Sequence, residues 1–188
     1  MEDLKLWIDT ETGGLNPEKH SLLTISLVVQ KNGIAIDALD LGIKHKDFVV
    51  TAEAMTINKI QLENLSEKPE IVIGKIAYFV KKHFKEPAIL HGQNTIFDIN
   101  FLKQFFINNN CEHIYHELFS HRYFDLMSLS LFLKDVGKIK CKNVSLDTLR
   151  DYFGVNKEKE NIHNSLVDTL DTIEVYNKYK DIIGGKIC

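Results

Sequence analysis

The nine residues LKLWIDTET (Leu4–Thr12) join an apolar run to two acids, Asp9 and Glu11. Side chains alternate between the two faces of a β-strand, so an extended Asp9-Thr10-Glu11 directs both carboxylates to one face, roughly 6.5 to 7 Å apart along the backbone. Two like charges held that close repel, and carboxylate oxygens are ligands that suit Mg²⁺ and Mn²⁺. The stretch predicts a strand that ends in half of a metal site. A solvated acid pair without function is the alternative that this stretch alone leaves open.

Length and composition predict one domain over residues 1–188. The chain is 44% hydrophobic, which is enough apolar material for a proper core. Its formal net charge of −3 does not point to nucleic-acid binding. A cleft can nevertheless bind a short strand through metal ions and a local patch. No apolar stretch approaches the roughly 20 residues of a membrane span, and no secretory signal pattern is visible. Three widely spaced cysteines favour a reducing compartment, so a cytoplasmic protein without membrane contact is expected.

Residue patterns along the chain predict an α/β domain. Stretches 22–30 and 33–43 are rich in branched apolar residues and flank a turn, which indicates an antiparallel hairpin. Helices are predicted over 52–60, 71–84, 97–107, 126–133, 146–153 and 165–179, with a short strand over 87–91. Because strands come first and then alternate with helices, a mixed sheet is expected.

Two further acids lie where predicted helices begin. Asp98 follows the bend Gly92-Gln93-Asn94, and Asp168 follows His163 by five residues. Each acid has a structural explanation, because helix N-termini favour carboxylates and Ser165 with Asp168 forms a capping-box pattern. Neither explanation accounts for His163. Since five residues turn a helix by about 140°, His163 and Asp168 can face one cleft if the histidine lies on the preceding loop.

Three motifs, in this order, resemble those of the DEDDh 3′–5′ exonucleases, the relatives of the proofreading subunit of bacterial replicative polymerase. The motifs are Asp9-Thr10-Glu11-Thr12, Asn94 to Leu102, and His163 to Asp168. Three further stretches are also similar to the family: Gly14-Leu15-Asn16-Pro17, Ser145 to Gly154, and Tyr123-Phe124-Asp125-Leu126. The resemblance covers Leu4 to about Tyr176. It implies a ribonuclease H-like α/β fold with a mixed five-stranded sheet flanked by helices on both faces.

The chain departs from the family pattern at a few positions. Gly13 stands where the family usually has Thr, Gln93 where it often has His, and Asn164-Ser165 where it usually has Arg-Ala. None of these departures removes an expected carboxylate or the histidine. These departures affect how the terminal nucleotide would be held and to which branch of the family the chain would be assigned.

The resemblance implies a two-metal phosphodiester hydrolase. Two divalent ions, Mg²⁺ or Mn²⁺, about 3.5 to 4 Å apart can activate water, neutralise charge on phosphorus and stabilise the leaving oxygen. By analogy with the family, Asp9 would bridge both ions, and Glu11 and Asp168 would hold the one that carries the water. Asp98 would reach the other ion through water, and His163 would be the general base.

The expected substrate is single-stranded DNA, digested from its 3′ end. The resemblance assigns substrate contacts to Thr12, Gly13, Leu15, Asn94 and Phe97. For two of them a core position is the alternative, since Leu15 could be an ordinary buried leucine and Phe97 belongs to an apolar helical stripe.

Two other functions are open at this point. Short RNA is the alternative substrate, because Leu6-Trp7-Ile8-Asp9 and His121-Arg122-Tyr123 are similar to the oligoribonuclease branch. A catalytically inactive nucleic-acid-binding module would require a missing ligand or base, and none is missing. The sequence leaves open whether a DNA polymerase is a partner.

Overall fold

The protein is described by a computed structural model over residues 3–155 and 164–184. Its strands are β1 (Leu4–Thr12), β2 (Leu22–Lys31), β3 (Ile34–Gly42), β4 (Ala88–Gly92) and β5 (Phe119–Asp125). Its α-helices are α1 (Ala52–Asn58), α2 (Pro69–His83), α3 (Thr95–Asn108), α4 (Glu112–Leu118), α5 (Leu126–Asp135), α6 (Leu146–Phe153) and α7 (Ser165–Gly184). A 3-10 turn spans Leu62–Asn64. None of the described helices is both long enough and apolar enough to cross a membrane.

The strands form one mixed sheet in the order β3-β2-β1-β4-β5. β1 pairs antiparallel with β2 and parallel with β4, which in turn pairs parallel with β5. The predicted mixed five-stranded α/β fold is therefore confirmed. The predicted hairpin is confirmed as well: its turn residues Asn32 and Gly33 have φ angles of 51° and 89°. Positive φ at both central residues is what a tight type I′ hairpin turn requires and what an Asn-Gly pair supplies.

β1 lies at the centre of the sheet, and both of its faces are covered. Leu6 and Ile8 belong to the core formed with α2 and α3, whereas Trp7 packs against Ile173 of α7 on the other face. Complete burial of an aliphatic side chain such as Leu6 stabilises the fold by about 1.5–3 kcal/mol. Because strand side chains alternate, the residues two and four positions after Trp7 also point to the α7 side. Those residues are the two acids of the opening stretch.

Element boundaries differ from the sequence-based expectations at a few ends. The short strand that the family resemblance implies up to Asp125 begins earlier, at Phe119, whereas α5 begins at Leu126 as predicted. α2 begins at Pro69, two residues before the predicted start, because proline is well suited to a first helical turn. The last helix continues past Tyr179 to Gly184.

Candidate active site

Three carboxylates from two elements meet beside the central strand. Asp9 and Glu11 come from β1, and Asp168 comes from the first turn of α7. One oxygen atom of each residue lies within 4.8 Å of the others, close enough for a shared metal ion. Among residues 3–155 and 164–184, no second group of three or more acidic, histidine or cysteine side chains is arranged to hold a metal. The prediction that an extended β1 brings both acids to one face is confirmed.

Regular strand pairing ends immediately after the acids. Glu11 pairs with Thr24, but Thr12 pairs with Leu22, so the register shifts between Glu11 and Thr12. A β-bulge of this kind bends a strand and redirects its side chains, and bulges are frequent beside active sites. The shift lets the chain leave the sheet directly after the carboxylates and begin the loop that follows them.

Asp98 is held beside this cluster rather than within it. It lies buried in the first turn of α3, and its Oδ1 accepts a hydrogen bond of 2.7 Å from the Thr10 hydroxyl. Thr10 lies between the two acids of β1 and points to the opposite face, so β1 positions all three carboxylates. Asp125 supports the start of α3, because its Oδ1 accepts from the backbone N–H groups of Asn94 at 2.8 Å and Thr95 at 3.2 Å.

The start of α7 differs from the capping-box interpretation. Asn164 caps the helix, since its Oδ1 accepts from the N–H groups of Leu166 at 3.1 Å and Val167 at 3.2 Å. Ser165 is buried inside the first turn, with its hydroxyl 3.1 Å from that of Thr24. The capping-box interpretation of Ser165 and Asp168 is therefore wrong, because Asn164 caps the helix and the Ser165 hydroxyl is directed to Thr24 instead. His163 lies outside the described residues.

Burial and mutual repulsion raise the pKa values of the clustered carboxyls. The pKa of Asp9 lies well above its usual range because of burial and then the charges of Asp98, Asp168 and Glu11. Burial, followed by the charges of Asp168 and Asp98, raises the pKa of Glu11 to about 8. Burial also raises the pKa of Asp98 to about 7, against the hydrogen bonds from Thr10. A buried, oxygen-only and self-repelling donor set fits a hard divalent cation such as Mg²⁺ or Mn²⁺.

The metal-free protein should lose stability as the pH rises from about 5 to 8. Glu11 and Asp98 have folded-state pKa values of about 8 and about 7, above their ordinary values of 4.5 and 3.8. As the pH rises, the unfolded chain gives up protons that the folded chain keeps. The contribution of these two groups to folding stability is therefore complete below their ordinary pKa values and is lost as the pH rises through their folded-state pKa values. Thermal melting in EDTA at pH 5 and pH 8 measures the effect.

Two comparisons make that melting experiment specific. Mn²⁺ should raise the melting temperature more at pH 8 than at pH 5, because the ion binds ionised carboxylates. Glu11→Gln should flatten the pH dependence in EDTA. A melting temperature in EDTA that is equal at both pH values in the unsubstituted protein would contradict the raised pKa values.

An open cavity of about 440 Å³ adjoins the cluster at Glu11. Its lining includes Thr12 at the end of β1, Leu15 from the loop that follows, and Ala54 and Ile57 from α1. Leu15 is 84% exposed, so the interpretation of Leu15 as an ordinary core leucine is wrong. An uncovered leucine on the wall of a cavity next to a charged cluster is available for contact with a ligand.

The other residues expected to contact substrate lie in different surroundings. Gly13 is buried, its N–H donates to the Ser21 carbonyl at 2.8 Å, and a Cβ atom there would lie 2.4 Å from the Val49 carbonyl oxygen. The close approach of the backbone explains why a larger residue is absent at this position. Asn94 and Phe97 belong to the start of α3 beside Asp98, outside the lining of the cavity. The Phe97 ring is partly buried against Phe101, as the helical stripe predicts.

Sequence reasoning missed Arg150. Its side chain is buried between α6 and α7, and its Nη2 donates to Asp168 Oδ1 at 2.5 Å. The sequence contains a signal for it, because Arg150 follows Leu146 by four positions and precedes Phe153 by three. Those spacings place a charged residue on the apolar face of a helix. An arginine on an apolar face is buried when it has an acidic partner.

Fold and site together define a class: an α/β domain with a carboxylate centre suited to divalent metal beside an open cavity. Residues 6–176 match the model of the RNase_T exonuclease family. The chain belongs to this exonuclease family.

Relatives in sequence are parts of much larger proteins. The DNA polymerase III PolC-type of Pediococcus pentosaceus is 27% identical over 168 residues, which is 87% of this chain and 10% of that protein. The DNA polymerase III PolC-type of Mycoplasmopsis pulmonis is 36% identical over 106 residues, which is 55% of this chain and 7% of that protein. This chain thus spans about a tenth or less of the curated relatives it matches.

Solved structures of exonuclease I share the fold. Escherichia coli exonuclease I in complex with a dT13 oligonucleotide superposes with a TM-score of 0.82 at 17% sequence identity, over 97% of this chain and 42% of that chain. A product-bound structure of exonuclease I gives a TM-score of 0.79 at 17% identity, over 96% of this chain and 44% of that chain. At such identity the likeness establishes the common architecture.

Proposed function

We propose that this protein is a divalent-metal-dependent 3′-to-5′ exonuclease that hydrolyses single-stranded DNA to nucleoside monophosphates. The observation that carries the proposal is the cluster of Asp9, Glu11 and Asp168, whose oxygens lie within 4.8 Å of one another. Membership of the exonuclease family supports the reaction. The choice of DNA is supported by the exonuclease I structure solved with an oligodeoxynucleotide.

The proposed chemistry assigns a task to each charged group. Bound divalent metal, two ions in this proposal, would neutralise charge on the scissile phosphate and make water nucleophilic at neutral pH. Asp9, Glu11 and Asp168 supply the oxygens that hold the metal, and Asp98 is the fourth carboxylate. His163 takes the proton from the attacking water, because an ordinary histidine pKa near 6.5 leaves the ring neutral and basic at physiological pH. This role of His163 rests on the sequence resemblance.

The terminal nucleotide is proposed to occupy the cavity beside Glu11. Leu15, Ala54 and Ile57 give that cavity an apolar wall against which a base can pack. Contact with the flat face of a base does not distinguish one base from another, so digestion should proceed through any sequence. Thr12 also lines this cavity, and Gly13 is the next residue along the chain. Asn94 and Phe97 would contact substrate from the start of α3.

A DNA polymerase is a proposed partner. The support is the likeness of this chain to a part of two PolC-type DNA polymerases. A 3′-to-5′ exonuclease beside a polymerase would remove misincorporated nucleotides, which is the proofreading role. The nuclease chemistry itself does not require the partner, because the three clustered carboxylates come from this chain alone.

Time courses with matched DNA and RNA oligonucleotides test the function. The purified protein should shorten 5′-labelled single-stranded DNA stepwise with Mg²⁺ or Mn²⁺ and release labelled mononucleotide at once from 3′-labelled DNA. EDTA should stop both reactions. Single-stranded DNA should be digested faster than duplex DNA and faster than RNA of the same sequence. Asp9→Asn, purified in parallel, is the matched control for contaminating nuclease.

The alternatives give distinct results in the same assay. Faster digestion of short RNA would replace DNA with RNA as the substrate. Early release of labelled mononucleotide from the 5′-labelled strand would show that digestion starts at the 5′ end. Binding of oligonucleotides without cleavage at any metal concentration would show that the protein is a nucleic-acid-binding module and not a nuclease.

A further inference from the structure

The guanidinium of Arg150 contacts three aspartates at once. Arg150 is 2% exposed, and its Nε donates to Asp171 Oδ2 at 2.7 Å and its Nη2 to Asp168 Oδ1 at 2.5 Å. Its Nη1 donates to Asp147 Oδ1 at 2.9 Å, at the surface. We propose that Arg150 is a positioning residue, which fixes the Asp168 carboxylate in the orientation that the metal centre requires. This inference rests on the proposed function.

The geometry limits how Asp168 can move. A guanidinium is planar and holds its N–H donors in a rigid fork, so the bond from Nε to Asp171 determines where Nη2 lies. Asp168 and Asp171 are both residues of α7, while Arg150 comes from α6. The fork thus spans two helices and restrains the carboxylate of Asp168. A carboxylate has two oxygens with several lone pairs, so a hydrogen bond to Oδ1 is compatible with metal binding by the same group.

The guanidinium of Arg150 lies beside Asp168, a proposed metal ligand, and the surrounding acidic groups make this compatible with metal binding. Asp171 is as buried as Asp168, with side-chain exposures of 11% and 12%. Arg150 carries one positive charge, and it contacts the three carboxyl groups of Asp147, Asp168 and Asp171. One cation shared among three acidic groups leaves Asp168 available as a ligand for the metal. Partners that orient a metal-binding carboxylate typically contribute 10- to 100-fold to metal affinity or activity.

A purely structural role for the same contacts predicts a different outcome. In that case the ion pair serves to join α6 to α7, and any replacement that packs well should restore the whole protein. Buried ion pairs can often be replaced by apolar residues of similar volume without loss of stability, whereas removal of one partner alone is strongly destabilising. The double variant Arg150→Met with Asp171→Leu separates the two roles, because it restores packing without restoring a donor to Asp168.

The deciding measurement is Mn²⁺ binding by isothermal titration calorimetry on the full chain without nucleic acid. The double variant should fold, with a lower melting temperature in EDTA because the buried Asp168 loses its cationic partner, and should bind Mn²⁺ about 10- to 100-fold more weakly. The Mn²⁺ concentration for half-maximal nuclease activity should rise by a similar factor. Asp147→Asn is the matched control, since Asp147 is the exposed partner with 59% side-chain exposure, and its Mn²⁺ affinity should stay unchanged.

Several results would overturn the inference. Wild-type or tighter Mn²⁺ affinity in a folded double variant would leave Arg150 a structural residue. If the double variant does not fold, Arg150→Lys provides the test, because the single ammonium group of lysine lacks the rigid fork of donors. Undiminished Mn²⁺ affinity in this variant would reject the positioning role of Arg150. Calorimetry also separates this inference from the proposed function: a protein that binds Mn²⁺ but cleaves no nucleic acid disproves only the latter. Absence of Mn²⁺ binding by the unsubstituted protein rejects both.

Discussion

Asp9→Asn should lower the nuclease rate roughly 10³-fold or more while the protein stays folded. Asp9 lies on the central strand within the carboxylate cluster, and the amide that replaces it is nearly isosteric but a weaker ligand for a hard cation. Metal ions contribute several kcal/mol of transition-state stabilisation in such reactions. Each 1.36 kcal/mol lost is a factor of ten in rate. Single-turnover digestion of 5′-labelled single-stranded DNA at saturating Mg²⁺ measures the loss.

Stability measurements distinguish this loss of ligand from unfolding. Asp9→Asn removes one of several mutually repelling carboxyls, so its melting temperature in EDTA at pH 8 should equal or exceed that of the unsubstituted protein. Asp37→Asn is the control. Asp37 lies on the edge strand β3 and pairs at the surface with Lys82 and His83 of α2, so this variant should keep the wild-type rate. Digestion at the wild-type rate by Asp9→Asn would remove Asp9 from the metal site.

The sequence predicts those parts of the fold that local patterns encode. The Asn32-Gly33 turn predicts a hairpin because few residue pairs accept positive φ at both positions. The acids of β1 are predicted to share a face because strand alternation is a local property. Pairing of β4 with β1 is different: Leu6 pairs with Leu90, far along the chain, and no local pattern identifies such a partner. The strand order is accordingly a result of the structure.

The candidate site is predictable to a similar extent. Sequence motifs identify the carboxylates, but not what holds each of them. The hydrogen bond from Thr10 to Asp98 joins residues that are 88 positions apart, and the one from Arg150 to Asp168 crosses between two helices. Capping shows the same limit at short range, since Asn164 and Ser165 are both suitable caps and only the structure shows that Asn164 takes the role.

The site combines a repelling cluster with separate supports for individual carboxylates. Asp98 accepts from the Thr10 hydroxyl, and Asp168 accepts from the Arg150 guanidinium. These donors hold the side chains in place but do not remove the repulsion, because burial and then the charges of Asp168 and Asp98 still raise the pKa of Glu11 to about 8. Stability of the metal-free domain and affinity for metal are therefore opposed: substitutions that relieve the repulsion should stabilise the protein and impair its chemistry.

His163→Ala should slow hydrolysis roughly 10²- to 10⁴-fold, the usual contribution of a general base. Asn164 caps α7, so His163 immediately precedes a helix whose first turn carries Asp168. Metal binding does not depend on the imidazole in this proposal, and Mn²⁺ affinity of the variant should match that of the unsubstituted protein. The dependence of the rate on pH should differ between the unsubstituted protein and the variant, because the variant lacks the proposed proton acceptor.

A control and a rescue experiment test the role of His163. His113→Ala removes an exposed histidine of α4 and should leave the rate and its pH profile unchanged. Added imidazole should restore part of the activity of His163→Ala but not of Asp9→Asn, because a diffusible base can replace a proton acceptor but not a metal ligand. If His163→Ala matches the unsubstituted protein from pH 6 to pH 9, another group is the base, and a carboxylate of the cluster is the first alternative to test.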